Sequence, residues 1–435
     1  MKINVKESTM VKPASETPSG SLWLSNLDIQ IPGYYHSRSV YLYRSNDAAN
    51  FFDAGLLKAA LGRALVDFYP YAGRLDKADD GRLQINCNSE GALFVEAECD
   101  AAVDDLGDFA ARAPDLPLAP KVDYSGEVST WPLLLLQLTR FKCGSISLGV
   151  TADHHVADGT SGLHFVNTWA DMARGVTAPA VPPVIDRRAL SARQPPQPKF
   201  PHDEYQPPPQ LITPLPNTET SHAVLKLTPD HLRAIKESCG GYSTYQAVTG
   251  HVWRCVCAAR GLPADQPTRL KFSVNGRPRL QPPLPPGLFG NVNFYTTSTA
   301  LCGELVSNPV GFAAGKVQAA VDQMNDEYLR SVIDYLEVKM PSILNTPARS
   351  ENFVRCPNFD ITSWVRLPFY EGDFGWGKPA YAGPAVAHYE GKSFLMLDPE
   401  SQGSWLLQIT LLKPHMDAFH KLFYDIPPST KNITN

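Results

Sequence analysis

The chain has 435 residues, a length that fits two domains of roughly 200 residues each better than a single core. Hydrophobic residues make up 43% of the chain and charged residues 19%, which is typical of globular proteins and excludes a disordered chain. The formal net charge of −5 argues against nucleic acid as a partner, because phosphate binding requires a basic surface.

Signals of secretion, membrane insertion and metal binding are also missing from the sequence. The first residues, MKINVK, contain no apolar segment of the kind that a signal peptide has. Apolar runs such as 133–136 are far shorter than a membrane span, so we expect no membrane insertion. The eight cysteines show neither a CxxC pair nor zinc-finger spacing, so we expect no metal and reduced thiols. Together these features predict a cytoplasmic protein.

The first half of the chain alternates helical and strand-like segments. Residues 52–65 carry apolar side chains at helical spacing after Asp53, a typical N-cap, and predict a helix. Alternating apolar residues at 146–150 predict a strand that leads directly to His154. Helical spacing resumes after this point and continues to Gly175. Further strand-like runs are 83–85, 93–96 and the apolar run 131–141.

Proline is concentrated between residues 193 and 217, with PPP at 207–209. Because proline fixes φ and removes a hydrogen-bond donor, this composition predicts an extended crossover between domains. We therefore predict an N-terminal domain at 1–192, a linker at 193–221 and a C-terminal domain at 222–435. In the C-terminal part, the patterns predict helices at 229–239 and 243–260 and strands at 223–227, 270–274, 291–298, 361–367 and 405–411. This mixture predicts an α/β fold.

His154 is the strongest catalytic candidate. It stands in HHVADG at 154–159, between the predicted strand and helix, and imidazole suits a general base near neutral pH. The HxxxD spacing is weak on its own, so a core or loop histidine bonded to a carbonyl stays an alternative. For Asp158 the alternatives are a helix N-cap and an ion pair, and we favour a structural role. His155 is expected to face away from His154 and to be structural.

A second motif, DFGWG, occupies residues 373–377. Two glycines around a tryptophan, directly after the YEG turn at 370–372, predict a tight loop. The alternative for this motif is a surface turn with a packed aromatic side chain.

Together the two motifs resemble the signatures of the plant BAHD acyltransferase family, HxxxD and DFGWG, which are both matched without a substitution. The resemblance extends over nearly the whole chain and includes FYPYAGRL at 68–75, GHVWR at 250–254 and ITSWVRLP at 361–368. Within the family, the chain is most similar to hydroxycinnamoyl-CoA:shikimate/quinate hydroxycinnamoyltransferases.

The resemblance implies an α/β fold of two chloramphenicol acetyltransferase-like domains joined by the long Pro-rich crossover. A solvent channel would run between the domains, with acyl-CoA entering from one face and the acceptor from the other. Acyl-CoA would be a co-substrate, with no bound cofactor and no metal. The resemblance also favours a monomer.

Roles for the motif residues follow from the same resemblance. His154 would deprotonate the acceptor, while Asp158 would point away from the substrate and pair with Arg277. The indole N–H of Trp376 would stabilise the tetrahedral oxyanion. The loop would be held in place by Asp373 and its glycines, Gly375 among them.

For the acceptor, the sharpest candidate is Arg366. The resemblance implies that an arginine in this SWVR segment grips the acceptor carboxylate, a pairing that guanidinium geometry favours. A surface or structural arginine is the alternative. The positions that match the lining of the acceptor or acyl pocket are Tyr41, His36 and Ser39.

For CoA, the candidates are three cationic side chains in the second half of the chain, Lys271, Arg269 and Arg279. They make this region locally basic and suit the phosphates of CoA. A solvated basic face is an equally good interpretation.

The chain departs from the shikimate-type pattern near the presumed pocket. Arg38 replaces a proline, and Asp153 replaces an arginine directly before His154. A carboxylate at 153 is expected to raise the imidazole pKa or to attract a cationic acceptor. The usual Gly-Pro-Gly-Gly run reads GPAV at 383–386 and is followed by His388.

The predicted function is transfer of a hydroxycinnamoyl group from CoA to a hydroxyl of shikimate or quinate. Alternatives are the same chemistry on tyramine, spermidine, glycerol or a phenolic alcohol, which the departures make plausible. A Ser-His-Asp esterase is disfavoured because the chain contains no GxSxG. A binding protein that kept the fold and lost the chemistry is disfavoured by the intact His154 and Trp376.

Overall fold

The computed structural model of the chain describes residues 1–31, 33, 35–213, 219–344, 353–386 and 389–426. In these residues the chain forms fifteen β-strands and ten α-helices. The strands are β1 (Ile3–Val11), β2 (Gly20–Trp23), β3 (His36–Tyr43), β4 (Arg74–Lys77), β5 (Leu83–Cys87), β6 (Ala92–Cys99), β7 (Leu134–Arg140), β8 (Ile146–Asp153), β9 (Thr220–Leu227), β10 (Pro267–Asn275), β11 (Asn293–Leu301), β12 (Phe359–Ser363), β13 (Tyr381–Pro384), β14 (Lys392–Leu397) and β15 (Trp405–Leu412). The helices are α1 (Asn26–Ile29), α2 (Ala54–Asp67), α3 (Phe109–Arg112), α4 (Gly159–Ala173), α5 (Pro229–Cys239), α6 (Thr244–Arg260), α7 (Cys302–Ser307), α8 (Val310–Asp322), α9 (Asp326–Leu344) and α10 (Lys413–Tyr424).

Contacts divide the chain into two units, which are discontinuous in sequence. Unit 1 contains Met1–Ala192, Pro282–Val292 and Leu367–Val386, and unit 2 contains the rest. The DFGWG loop, assigned to the C-terminal domain from sequence, therefore packs within unit 1. The linear division at 192 and 221 stays a prediction.

The main sheet of unit 1 has the strand order β1-β6-β7-β8-β3-β13. Strand β8 lies near its centre and pairs antiparallel with β7 and β3, with Asp153 opposite His36. Because both faces of a central strand are covered, nearly every residue of β8 is buried. The strand ends at Asp153, which fixes the point at which His154 emerges.

Strand β13 reaches this sheet from a distant part of the chain. It pairs antiparallel with β3, with Gly383 opposite Val40. The DFGWG loop directly precedes β13, so this pairing anchors the loop to unit 1.

Unit 2 contains the second six-stranded sheet, β11-β10-β12-β14-β15-β9. Its core lies where α5, α6, α8 and α10 cover the sheet, around buried residues such as Trp253, Phe272 and Phe419. Strand β12 ends at Ser363, whereas a strand to residue 367 is predicted. Helices α8, α9 and α10 had no counterpart in the sequence analysis, although the acidic first turn of α9, Asp326 and Glu327, is a typical helix start.

The described part of the Pro-rich crossover packs on α9 within unit 2. The buried carboxylate of Asp334 accepts hydrogen bonds from the backbone N–H of Arg193 and Gln197 and from the Arg193 guanidinium, at 2.7 to 2.9 Å. The crossover is therefore held by specific bonds to a helix and is not a free linker over these residues.

A serine, a histidine and a glutamate also join the crossover to α9. Ser331 Oγ lies 2.8 Å from Nε2 of His202, whose Nδ1 lies 3.1 Å from a carboxylate oxygen of Glu204. This serine–histidine–glutamate arrangement resembles a hydrolase triad. However, all three side chains are buried, and Ser331 Oγ also accepts a hydrogen bond from the Lys199 backbone N–H. The trio therefore docks the crossover and offers no nucleophile to a substrate.

We expect Asp334→Ala to lower the free energy of unfolding by about 3 kcal/mol, because three donors lose a buried carboxylate. Urea denaturation measures this change. The matched control is Glu327→Gln on the same helix, whose 2.7 Å pair with Lys199 is exposed. Exposed pairs contribute little, so its midpoint should stay near that of the unsubstituted protein. Equal losses in both variants would contradict the docking role of Asp334.

Candidate active site

His154 occupies the turn between β8 and α4. Its backbone N–H donates to the Tyr35 carbonyl at 2.9 Å, and its own carbonyl accepts from Nδ2 of Asn291 at 2.8 Å. The Tyr35 ring stacks beside the imidazole, with centroids 6.0 Å apart and an interplanar angle of 28°. His154 is therefore fixed by main-chain bonds on both sides and by one aromatic neighbour.

The imidazole itself is half-buried. Its Nδ1 is buried and has no hydrogen-bond partner within the described ranges. Burial lowers the pKa of His154, although its own backbone and the carboxylates of Asp158 and Asp153 act in the opposite direction. A neutral imidazole at neutral pH is the form that accepts a proton.

Asp153 is engaged inside the protein and does not face a substrate. Its Oδ1 accepts from the backbone N–H and from Nδ1 of His155, both at 2.8 Å, and the carboxylate is fully buried. Burial raises the pKa of Asp153, but attraction to His155 and His36 outweighs burial and the net pKa is lowered. The expectation that Asp153 attracts a cationic acceptor is therefore not supported. Its predicted effect on the His154 pKa has the expected sign but is smaller than the effect of burial.

Asp158 is the N-cap of α4. Its Oδ1 accepts from the Ser161 N–H and its Oδ2 from the Val292 N–H, both at 2.9 Å. One carboxylate thus satisfies a helix terminus and fixes a segment from the second half of the sequence to the motif. This is a structural role. Arg277 lies in unit 2, buried and bonded to Asn275, and its pairing with Asp158 stays a prediction.

Asp373 and two glycines bond to one another within the DFGWG loop. Asp373 Oδ1 accepts from the backbone N–H of Gly375 and Gly377 at 2.8 and 3.0 Å. Both glycines have φ above +100°, a conformation that side chains disfavour.

Trp376 has contacts that differ from its predicted role. Its ring packs against Phe52 and Phe51, with centroids 4.9 and 6.2 Å away, and its indole N–H donates to Asn50 at 3.4 Å. No contact joins it to His154 in the part of the chain that the structure covers. These contacts favour a packing role for Trp376 over the oxyanion role.

The three predicted pocket residues on β3 divide between the two faces of the strand. Tyr41 and Ser39 share one face, where Tyr41 is buried against Phe369. His36 lies on the other face, where Tyr124 and the Pro132 carbonyl bind its ring nitrogens at 2.8 and 3.0 Å. Burial lowers the pKa of His36, so it stays a neutral, fully bonded side chain. These bonds favour a structural role for His36, and its place in the acceptor pocket stays a prediction.

The three predicted CoA-binding cations have partners within unit 2. The Arg269 guanidinium donates to the carbonyls of Asp203 and Gln206, and the Arg279 guanidinium donates to those of Val321 and Met324. Lys271 Nζ lies 3.8 Å from the Tyr295 ring centroid and 4.8 Å from that of Phe353, and burial lowers its pKa to about 8. These contacts favour structural roles for all three.

Arg366 differs from these cations. It is exposed in the turn after β12, and it has no hydrogen bond or ion pair with any described residue. Its guanidinium is available to a ligand. His388 lies outside the described residues.

Comparison with known proteins gives the family. The model of the Transferase family matches residues 1–426. The chain is 54% identical to rosmarinate synthase of Plectranthus scutellarioides over 436 residues, which is 98% of this chain and 100% of that protein. It is 50% identical to shikimate O-hydroxycinnamoyltransferase of Nicotiana tabacum, with 98% and 100% covered. The chain belongs to the BAHD acyltransferase family.

The name of a third relative specifies transfer to nitrogen. This hydroxycinnamoyl-CoA:5-hydroxyanthranilate N-hydroxycinnamoyltransferase of Avena sativa is 48% identical, with 98% of this chain and 100% of that protein covered. The predictions of family membership and of an acyltransferase enzyme are confirmed.

Solved structures support the predicted fold. Vinorine synthase has a TM-score of 0.76 at 23% identity, with 98% of this chain and 99% of that chain covered. TRI101 of F. graminearum, complexed with coenzyme A and T-2 mycotoxin, has a TM-score of 0.78 at 16% identity, with 92% and 96% covered. The α/β fold of two chloramphenicol acetyltransferase-like domains is thereby confirmed for this BAHD enzyme. None of its described helices is long and apolar enough to cross a bilayer.

We expect Trp376→Phe to keep kcat within about threefold of the unsubstituted enzyme, because a phenyl ring preserves most of the packing on Phe51 and Phe52. Trp376→Ala should lower the free energy of unfolding by roughly 2 kcal/mol, less than the loss of a fully buried indole. Steady-state kinetics and urea denaturation measure the two effects. A loss of about 100-fold or more in kcat for a stable Trp376→Phe would instead support the oxyanion role.

Proposed function

We propose that this BAHD acyltransferase moves a hydroxycinnamoyl group, such as p-coumaroyl or caffeoyl, from its CoA thioester to an acceptor, with His154 as general base. The acyl group is supported by the names of the relatives, which act as hydroxycinnamoyltransferases. The base is supported by one observation above all: the His154 imidazole lies directly after β8, and its buried Nδ1 has no hydrogen-bond partner among the described residues. Acyl-CoA serves as a co-substrate and is not a resident cofactor.

The reaction needs one proton acceptor and direct attack. Because Nδ1 is buried, the other ring nitrogen, Nε2, takes the proton from the acceptor hydroxyl or amine. The acceptor oxygen or nitrogen then bonds to the thioester carbonyl carbon, and collapse of the tetrahedral intermediate breaks the C–S bond. The imidazolium returns its proton to the CoA thiolate. No acyl-enzyme forms.

The acceptor that we propose carries a carboxylate, with shikimate or quinate as the first candidates. The proposal rests on the exposed guanidinium of Arg366, which no described residue bonds, and on the relative from Nicotiana tabacum. The Avena sativa relative favours a second candidate, an amine acceptor, on which the same base performs the same chemistry. We also place the reaction in the cytoplasm, which the eight free cysteines support.

Because burial lowers the His154 pKa, kcat/KM for p-coumaroyl-CoA should be constant above about pH 6.5 and fall as the pH drops through a lower apparent pKa. The value of kcat/KM falls on the acid side because the neutral ring is the active form and acid protonates it.

His154→Ala should abolish transfer with its circular dichroism spectrum unchanged. Near-normal release of CoA by folded His154→Ala would disprove the mechanism.

Arg366→Ala should raise KM for shikimate or quinate by about tenfold or more, since a charge-assisted pair is lost, and leave neutral glycerol unaffected. A panel of shikimate, quinate, glycerol, tyramine and spermidine with one acyl-CoA measures this selectivity. Arg188→Ala is the matched control, because this exposed arginine belongs to unit 1 and pairs there with Asp186. Equal losses with charged and neutral acceptors would argue against a carboxylate contact.

A further inference from the structure

Arg187 is a buried arginine that none of the motifs includes. Its guanidinium lies 3.0 Å from Oδ1 of Asp28, and neither side chain has any exposed surface. The two residues are far apart in sequence, and both belong to unit 1. A charged pair without access to water carries a large desolvation cost, so the presence of this pair in the interior needs an explanation.

The contacts of this pair converge on the main chain around His154. Nη1 and Nη2 of Arg187 donate to the carbonyls of His155 and Val156 at 3.3 and 2.7 Å. The same Asp28 oxygen accepts from the backbone N–H and Nδ2 of Asn291, at 2.8 and 2.9 Å. Asn291 Nδ2 in turn donates to the His154 carbonyl at 2.8 Å. Three consecutive carbonyls of the HxxxD turn are therefore bound by one connected network.

Gly290 provides the room that Arg187 needs. A Cβ atom at this position would lie 2.9 Å from Nε of Arg187, a distance that real Cβ contacts essentially never show, and 3.1 Å from its Cδ, which is also tight. Gly290 also accepts the Asp158 backbone N–H at 3.4 Å and donates to Ser161 Oγ at 3.1 Å. The segment with Gly290 and Asn291 thus interlocks with the motif turn, and any larger side chain at 290 displaces the guanidinium.

We infer that Arg187 and Asp28 are positioning residues for the base, which orient His154 through its main chain without contacting the imidazole. This inference rests on the proposed role of His154. A buried ion pair is on average no more stabilising than apolar residues of the same volume, so net stability does not explain it. Orientation does, because a base displaced by about 1 Å loses on the order of 100-fold in rate.

Three variants and one control test the inference, so that the test still works if one variant fails to fold. Gly290→Ala pushes the guanidinium aside and keeps its charge, and Arg187→Lys keeps the charge but loses the planar fork. The double variant Arg187→Met with Asp28→Asn removes both charges together, so that neither is left buried alone. Gly162→Ala on α4 is the control, because its Cβ would meet only the Tyr71 hydroxyl at an ordinary 3.7 Å.

For Gly290→Ala, Arg187→Lys and the double variant, we expect kcat with p-coumaroyl-CoA to fall by about 100-fold while KM for the thioester changes less than about threefold. The double variant should regain the urea midpoint of the unsubstituted enzyme and still show the low kcat. If the pair only stabilised the fold, the double variant would recover a normal kcat together with the urea midpoint. That result would overturn the inference.

The proposed function fails separately from this inference. If His154→Ala is inactive and the Arg187, Asp28 and Gly290 variants keep a normal kcat, only the positioning role is wrong. If His154→Ala keeps its activity, the role of the base is wrong and the positioning role fails with it.

Discussion

The carbonyl oxygens of His154, His155 and Val156 each accept a hydrogen bond from a residue that is distant in sequence. A turn after a strand has no regular partner for its backbone groups, and a buried carbonyl without a partner is costly. Arg187 and Asn291 supply these partners, and Asp28 holds both donors in place. The position of the imidazole depends on this network more than on its own side-chain contacts, because Nδ1 has no bonding partner among the described residues.

Burial is the largest influence on the pKa of the two histidines His154 and His36. It lowers the pKa of His154 and His36 and keeps both rings neutral. Asp153 is fully buried, but its pKa is lowered, because attraction to His155 and two hydrogen bonds from that residue outweigh burial. Strand pairing therefore places two neutral imidazoles and one ionised carboxylate near the end of β8, and Nδ1 of His154 has no hydrogen-bond partner among the described residues.

The cations of unit 2 show how little a basic sequence segment says about a ligand. Arg269 and Arg279 bind backbone carbonyls, and Lys271 lies over two aromatic rings. Arg366 alone among the predicted binding cations is exposed and free of partners within the described residues. The sequence offers all four as candidate binding cations, and only their neighbours in the folded structure distinguish them.

Local chemistry was sufficient to predict several elements from sequence: α2 after its cap Asp53, α5, α6 after Ser243, and the strand that delivers His154. The two motifs likewise located the candidate base and the loop, since each motif is contiguous in sequence. The tertiary structure alone decided the pairing of β13 with β3, the face of β3 that His36 occupies and the partners of Trp376. It also brought Asp28, Arg187 and Asn291 together, because a network whose members lie more than 100 residues apart leaves no periodicity or spacing to read.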